Sequence, residues 1–113
     1  MARLNLDAWG TTHKITFEIN SYRENDNLAI GMLCWDEEYG WAEPWSMLTV
    51  NLSIKCAPNC AFIDTNNNSD SIIYWLTNNK LGKLTGRVGQ SGFCIYPEFE
   101  FDMDEVKKYV EGA

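Results

Sequence analysis

The chain has 113 residues, 45% of them hydrophobic, and its sixteen acidic residues against nine basic give a formal net charge of −7. That length and apolar content suit a single domain, residues 1–113, with its own core, and argue against a disordered tail or a multidomain enzyme. The acidic balance repels a phosphate backbone, so no direct nucleic-acid binding is expected, whereas a partner with a basic surface is favoured.

The N-terminal segment carries Asp7 and lacks a continuous apolar run, unlike a secretory signal. No stretch approaches the roughly 18 apolar residues of a membrane span, so a soluble, cytoplasmic protein is expected. Leu4, Leu6 and Ala8 alternate with polar neighbours, as do Ile15, Phe17 and Ile19, and Gly10-Thr11-Thr12 interrupts the two runs; this spacing predicts a β-hairpin. After the polar break Arg23 to Asn27, the apolar run Leu28 to Trp35 reads as a central strand. Asp36 to Pro44, with four acids, a glycine and a proline, reads as a connecting loop. Ser46 to Ile54 then predicts a strand whose Leu48, Val50, Leu52 and Ile54 face the core.

Ala61-Phe62-Ile63 is a short apolar segment before the turn-forming run Asp64 to Asn68. Asn68 or Ser69 is expected to cap a helix reaching about Asn79, with Ile72, Ile73 and Leu76 as its apolar stripe and Gly82 as its stop. Thr85 to Gly92 reads as a tight glycine-rich loop, and Phe93 to Phe101 as a strand. Asp102 with Glu105 resembles a capping box for a short last helix through Val110. The expected class is α+β, an antiparallel sheet of five or six strands with one or two helices packed on one face.

Chemistry-bearing motifs are few. Cys56 and Cys60 enclose a short turn, but the other cysteines stand alone, so free thiols are expected, with no metal and no cofactor. The Asp64 to Asp70 run spaces oxygen ligands as a calcium loop does, yet Ser69 and Trp75 occupy the positions where that loop needs glycine and glutamate. His13 is the only histidine, and a Cys94, His13, Asp64 triad can be written but not supported, so no enzyme activity is expected.

Charge layout says more. Glu24, Asp26, Asp36, Glu37, Glu38 and Glu43 follow one another with no intervening base, as do Glu98, Glu100, Asp102, Asp104 and Glu105. In an extended Pro97 to Asp102, the phenylalanines would turn inward and Glu98, Glu100 and Asp102 would stand outward, roughly 6.7 Å apart. Such a ridge can imitate a phosphate row, although the same pattern also suits a charged edge strand protected against aggregation. A second contact surface is Asp36 to Trp45, with Trp41 and Trp45 as anchors beside Glu37 and Glu38. The alternative function is a small-ligand or nucleotide-binding module on residues 85–92, using Arg87, Gly89 and Ser91 with Asp64 and Asn66 nearby.

Leu48 to Leu52, Phe62 to Asn67 and Thr85 to Pro97 occur in this order, and together they resemble the domain of unknown function family numbered 4313, small proteins of bacterial conjugative elements and phages. The Asp36 to Trp45 segment and the acidic last helix look particular to this chain. The resemblance implies no catalytic residue or cofactor. It implies a setting, that of an accessory protein of a mobile genetic element binding a host or element protein, among whose roles is inhibition of a nucleic-acid-handling defence enzyme.

Overall fold

The computed structural model describes residues 2–110. Strands β1 (Leu4–Ala8) and β2 (Thr11–Ser21) form the expected hairpin, with Leu4 opposite Ile15 and Ala8 opposite Thr11. Its two-residue turn is Trp9-Gly10, both at positive φ (50° and 75°), a combination whose twist matches that of the flanking strands. Strand β3 (Leu28–Asp36) pairs with β2, and β4 (Trp41–Met47) with β3, completing a sheet of order β1-β2-β3-β4.

The expected loop from Asp36 to Pro44 is instead a tight turn followed by most of β4. The Asp36 carboxylate accepts the backbone N–H groups of Glu38 (2.9 Å) and Tyr39 (3.2 Å), and its carbonyl accepts that of Gly40 (2.8 Å), so the turn closes within four residues.

The expected strand from Ser46 to Ile54 also divides. At Leu48 the chain leaves the first sheet: its N–H donates to the Ile30 carbonyl (2.9 Å), and its own carbonyl accepts from Asp64 N–H (2.9 Å). Beyond it β5 (Thr49–Val50) pairs with β6 (Cys60–Ile63), and the Thr49 hydroxyl accepts the Ile30 N–H at 3.1 Å in place of a ladder carbonyl. Leu48 enters the main core, Val50 and Leu52 pack on a smaller cluster, and Ile54 is exposed. A strand that switches sheets in this way makes two sheets of what reads as one.

The remaining elements are α1 (Thr65–Asn68), α2 (Ser71–Asn78), β7 (Gly82–Ser91), β8 (Cys94–Phe101) and α3 (Met103–Lys107). The second sheet has the order β5-β6-β8-β7. The α+β class therefore holds, but the single sheet of five or six strands is corrected to two four-stranded antiparallel sheets with three short helices.

The expected helix is α2, which buries Ile72 and Leu76 and ends near Asn79, but its N-cap position is Asp70, just after the expected Asn68 or Ser69, and carries no side-chain cap. A separate short α1 precedes it, capped by Asp64, whose carboxylate accepts Asn67 N–H at 3.1 Å, and Ser69 (φ 65°, ψ 163°) breaks the run between the two. Nor does Gly82 stop the helix, because the left-handed residue is Lys80 (φ 61°) and Gly82 already opens β7. Asp102 caps α3 as read, accepting Glu105 N–H at 3.3 Å. The helix ends at Lys107, short of Val110, and beyond it the Tyr109 carbonyl accepts Phe17 N–H (2.8 Å) where the chain runs beside β2. Replacing Asp102 with alanine is expected to cost about 1 kcal/mol, read as a lower urea midpoint at unchanged slope.

The main core joins Ile15, Phe17, Ile30 and Met32 of the first sheet to Ile63, Phe99 and Phe101 of the second, closed by Leu76 of α2 and Val106 of α3. The opposite face of the second sheet carries a small core of its own, made of Cys56, Cys60, Phe62 and Tyr96 with Val50, Leu52 and Cys94 against it. Among the described residues, no helix is long and apolar enough to cross a membrane.

Candidate functional site

Strand β8 alternates as its sequence requires, with Phe99 and Phe101 in the main core. The other face is not a free ridge of anions. Glu98 is only 5% exposed and lies on the side of the small core. Its carboxylate forms an ion pair with Arg87 (2.8 Å) and accepts the Thr85 hydroxyl (2.8 Å). Glu100 is exposed but sits 3.7 Å from Lys83, and Asp102 is occupied in capping α3. The expected row of three outward carboxylates is thereby corrected, because two of the three meet the protein's own cations and the third caps its own helix.

The same contacts revise the glycine-rich segment. Residues 85–92 are not a loop but the end of β7 and the first residue of its turn into β8. From Leu84, opposite Phe99, to Val88, opposite Pro97, β7 advances four residues while β8 advances two. The resulting bulge carries Thr85 and Arg87, both of which bond Glu98. Arg87 also donates to the Lys55 carbonyl (3.3 Å) and lies over the Phe62 ring (5.6 Å), tying the 51–59 segment onto the sheet. Gly89 serves packing, since a Cβ there would lie 2.5 Å from Leu52 Cδ1 and 2.9 Å from the Phe62 ring. Ser91 and Asn66 are exposed, and Asp64 caps α1. Arg87 and Asp64, the two charged members of the ligand set, are thus each engaged by a partner inside the fold.

A different surface forms at one end of the first sheet. The β1–β2 and β3–β4 turns lie at the same end, because β2 begins where β3 finishes. Asp36 is opposite Trp41, and Cys34 is opposite both Ile15 and Glu43, so these side chains share the face that is buried further along the sheet. Tyr39 and Trp41 stack nearly parallel, centroids 5.6 Å apart at 14°, and are 61% and 55% exposed. Trp41 Nε1 donates to Glu43 (3.1 Å), and Lys14 holds Glu37 at 2.6 Å, which keeps the Glu37 carboxyl below its usual range. Glu38 is exposed with no ion pair among the described residues. Trp45 parts from Trp41: it sits half-buried at the bulge in β4, its ring 4.3 Å from His13 and 5.5 Å from Trp9.

A family model described as a domain of unknown function (DUF4313) matches residues 16–113. The chain belongs to that family. No curated protein and no solved structure matches it. The DUF4313 match begins inside β2, so β1 and the Trp9 turn precede it, whereas both the β3–β4 and β7–β8 hairpins lie within it.

Sequence reasoning paired His13 with Cys94 and Asp64, but in this DUF4313 member its Nδ1 lies 3.9 Å from Cys34 Sγ. Burial raises the Cys34 thiol, with Asp36 and Glu43 adding to the effect against a backbone hydrogen bond from Lys14. That is the reverse of what an activated nucleophile needs. Trp9 and Tyr39 were also missed as site residues. The signal for Trp9 is its place before Gly10, where a two-residue hairpin turn leaves a large side chain uncovered.

Cys56 and Cys60 are free, buried thiols in the small core. No group of three or more His, Cys, Asp or Glu among the described residues is placed to hold a metal ion. Burial first, then the neighbouring Glu98 carboxylate, pushes the Cys56 thiol up to about 11 from 9.0. Because the folded value lies above the unfolded one, its stabilising contribution is complete below pH 9 and lost as pH rises toward 11. Urea midpoints of the wild type should therefore fall faster than those of Cys56→Ala between about pH 8.5 and 10.5. Parallel curves would contradict this.

Proposed function

We propose that the chain is a small acidic, non-enzymatic accessory protein that binds a partner with a basic surface through the acidic and aromatic end of its first sheet. The observation that carries this reading is the stacked, exposed Tyr39 and Trp41 pair beside the exposed Glu38 and Glu43, with Glu37 alongside but paired to Lys14. Aromatic rings held rigid in water give large contact area at little entropic cost, and surrounding anions steer a basic partner and fix its register. The family resemblance supports a setting in the cytoplasm of a cell carrying a mobile element. The partner there is a host or element protein, such as a defence enzyme whose basic nucleic-acid groove the anions occupy.

Affinity capture with the intact protein tests this, comparing wild type with Tyr39→Ala/Trp41→Ala and with Glu37→Lys/Glu38→Lys. A basic partner is expected to be retained by the wild type, lost from both variants, and released as salt rises from about 0.05 to 0.5 M. Equal retention by both variants would remove the proposal.

A further inference from the structure

The β1–β2 turn and the α1–α2 connection enclose a cleft of about 290 Å³, lined by Asp7, Trp9, Trp45, Asn67, Ser69 and Ser71 among others. We propose that this cleft binds a neutral saccharide, with the Trp9 ring as its stacking face.

Two features of the cleft bear on a ligand. Trp9 is 88% exposed and sits at φ 50°, a turn position that asparagine, aspartate or glycine fills without steric cost. Its ring does not join the core cluster and does not ease the turn; it touches the edge of Trp45 and otherwise faces water. Ser69, across the cleft, lies at φ 65° and ψ 163°, a region otherwise left to glycine. Both line the cleft, and backbone held in sparsely populated regions clusters at ligand sites.

The lining chemistry selects the ligand class. An indole face presents negative quadrupolar density to the C–H groups of a pyranose face, and Trp45, 5.5 Å from Trp9 at 48°, forms the adjoining wall. The polar lining is fixed in place. Asp7 Oδ1 accepts the Thr12 hydroxyl (2.6 Å), Asn67 Nδ2 donates to Asp64 (2.8 Å), and the Ser69 and Ser71 hydroxyls lie 2.6 Å apart. This leaves Asp7 Oδ2 and the Asn67 side-chain carbonyl as acceptors for ring hydroxyls. No lysine or arginine lines the cleft, and with Asp7 present on a chain of net charge −7 a phosphate or sulfate group is repelled. The volume is at the small end for ligand sites, enough for one or two sugar rings. This site goes beyond the proposed protein contact, which uses the neighbouring β3–β4 turn.

The test is a glycan array with the intact protein, followed by amide and indole NMR titration with chitobiose, cellobiose and maltose. Binding by at least one sugar is expected to shift the Trp9 and Trp45 indole signals and the Asn67 side-chain amide. Trp9→Ala, which removes a solvated ring, is expected to leave the melting temperature unchanged and weaken binding more than tenfold. Glu37→Lys/Glu38→Lys should leave sugar binding intact, so loss of the protein contact is distinguishable from loss of this site. Absence of binding across the array, sugar binding unaffected by Trp9→Ala, or indole shifts produced by adenosine monophosphate and by no sugar would each overturn the proposal.

Discussion

Gly82→Ala is expected to destabilise the protein by about 3–5 kcal/mol, combining backbone strain with overpacking. A Cβ at Gly82 would lie 2.1 Å from the Glu100 carbonyl oxygen and 2.7 Å from the Phe99 ring, and the backbone there is at φ 151°. The oxygen belongs to the ladder that pairs β7 with β8, so relief requires parting the two strands at the point where Gly82 faces Phe101. Gly86 provides the control. It also has positive φ (88°), but its Cβ would meet nothing within 4 Å, so Gly86→Ala should cost only about 1 kcal/mol. Urea titrations of both variants check the contrast, and equal losses would show that the close approach at Gly82 is relieved at no cost.

Arg87→Ala is expected to cost about 3 kcal/mol. Glu98 is almost fully buried, and Arg87 is its ion-pair partner, so the variant leaves an uncompensated charge beside Cys56 and Phe62. Because half of the Arg87 side chain is exposed, water can reach the site and the loss belongs at the lower end of the range for buried pairs. Adding Glu98→Gln to Arg87→Ala should recover much of the stability, since a neutral amide needs no counter-charge and can still bond the Thr85 hydroxyl. If Arg87→Ala costs less than about 0.5 kcal/mol, the guanidinium is not what holds Glu98 in place. It would then be available to a ligand.

How far the sequence could be read depended on the range of the interactions involved. The β1–β2 hairpin, the Asp102 cap and the inward turn of Phe99 and Phe101 all follow from neighbours within a few residues, where side-chain period and capping chemistry act without reference to the rest of the fold. The Asp36 turn was local too, but its acids read as a longer loop, because Asp36 serves as a turn residue and Trp41 as the first strand residue.

The candidate surfaces were less legible. The pattern in β8 sent Glu98 away from the phenylalanines, as it must, but whether that face meets water depends on the 51–59 segment and on Arg87, placed opposite by the β7 bulge. Trp41 and Trp45 lie close together in sequence, yet the bulge in β4 puts one at the stacked turn and the other beside His13 and Trp9.

By itself, the sequence determined a small acidic α+β chain, its first hairpin and its Asp102 cap, and which side chains leave each strand on the same side. Only the tertiary structure decided that Leu48 carries the chain from one sheet to a second, that β6 inside that second sheet is covered on both faces, and that Trp9, Tyr39 and Trp41 stand exposed at one end of the first. The physical reason is that strand period fixes the direction of a side chain, whereas burial and charge pairing depend on what another part of the chain brings to that face.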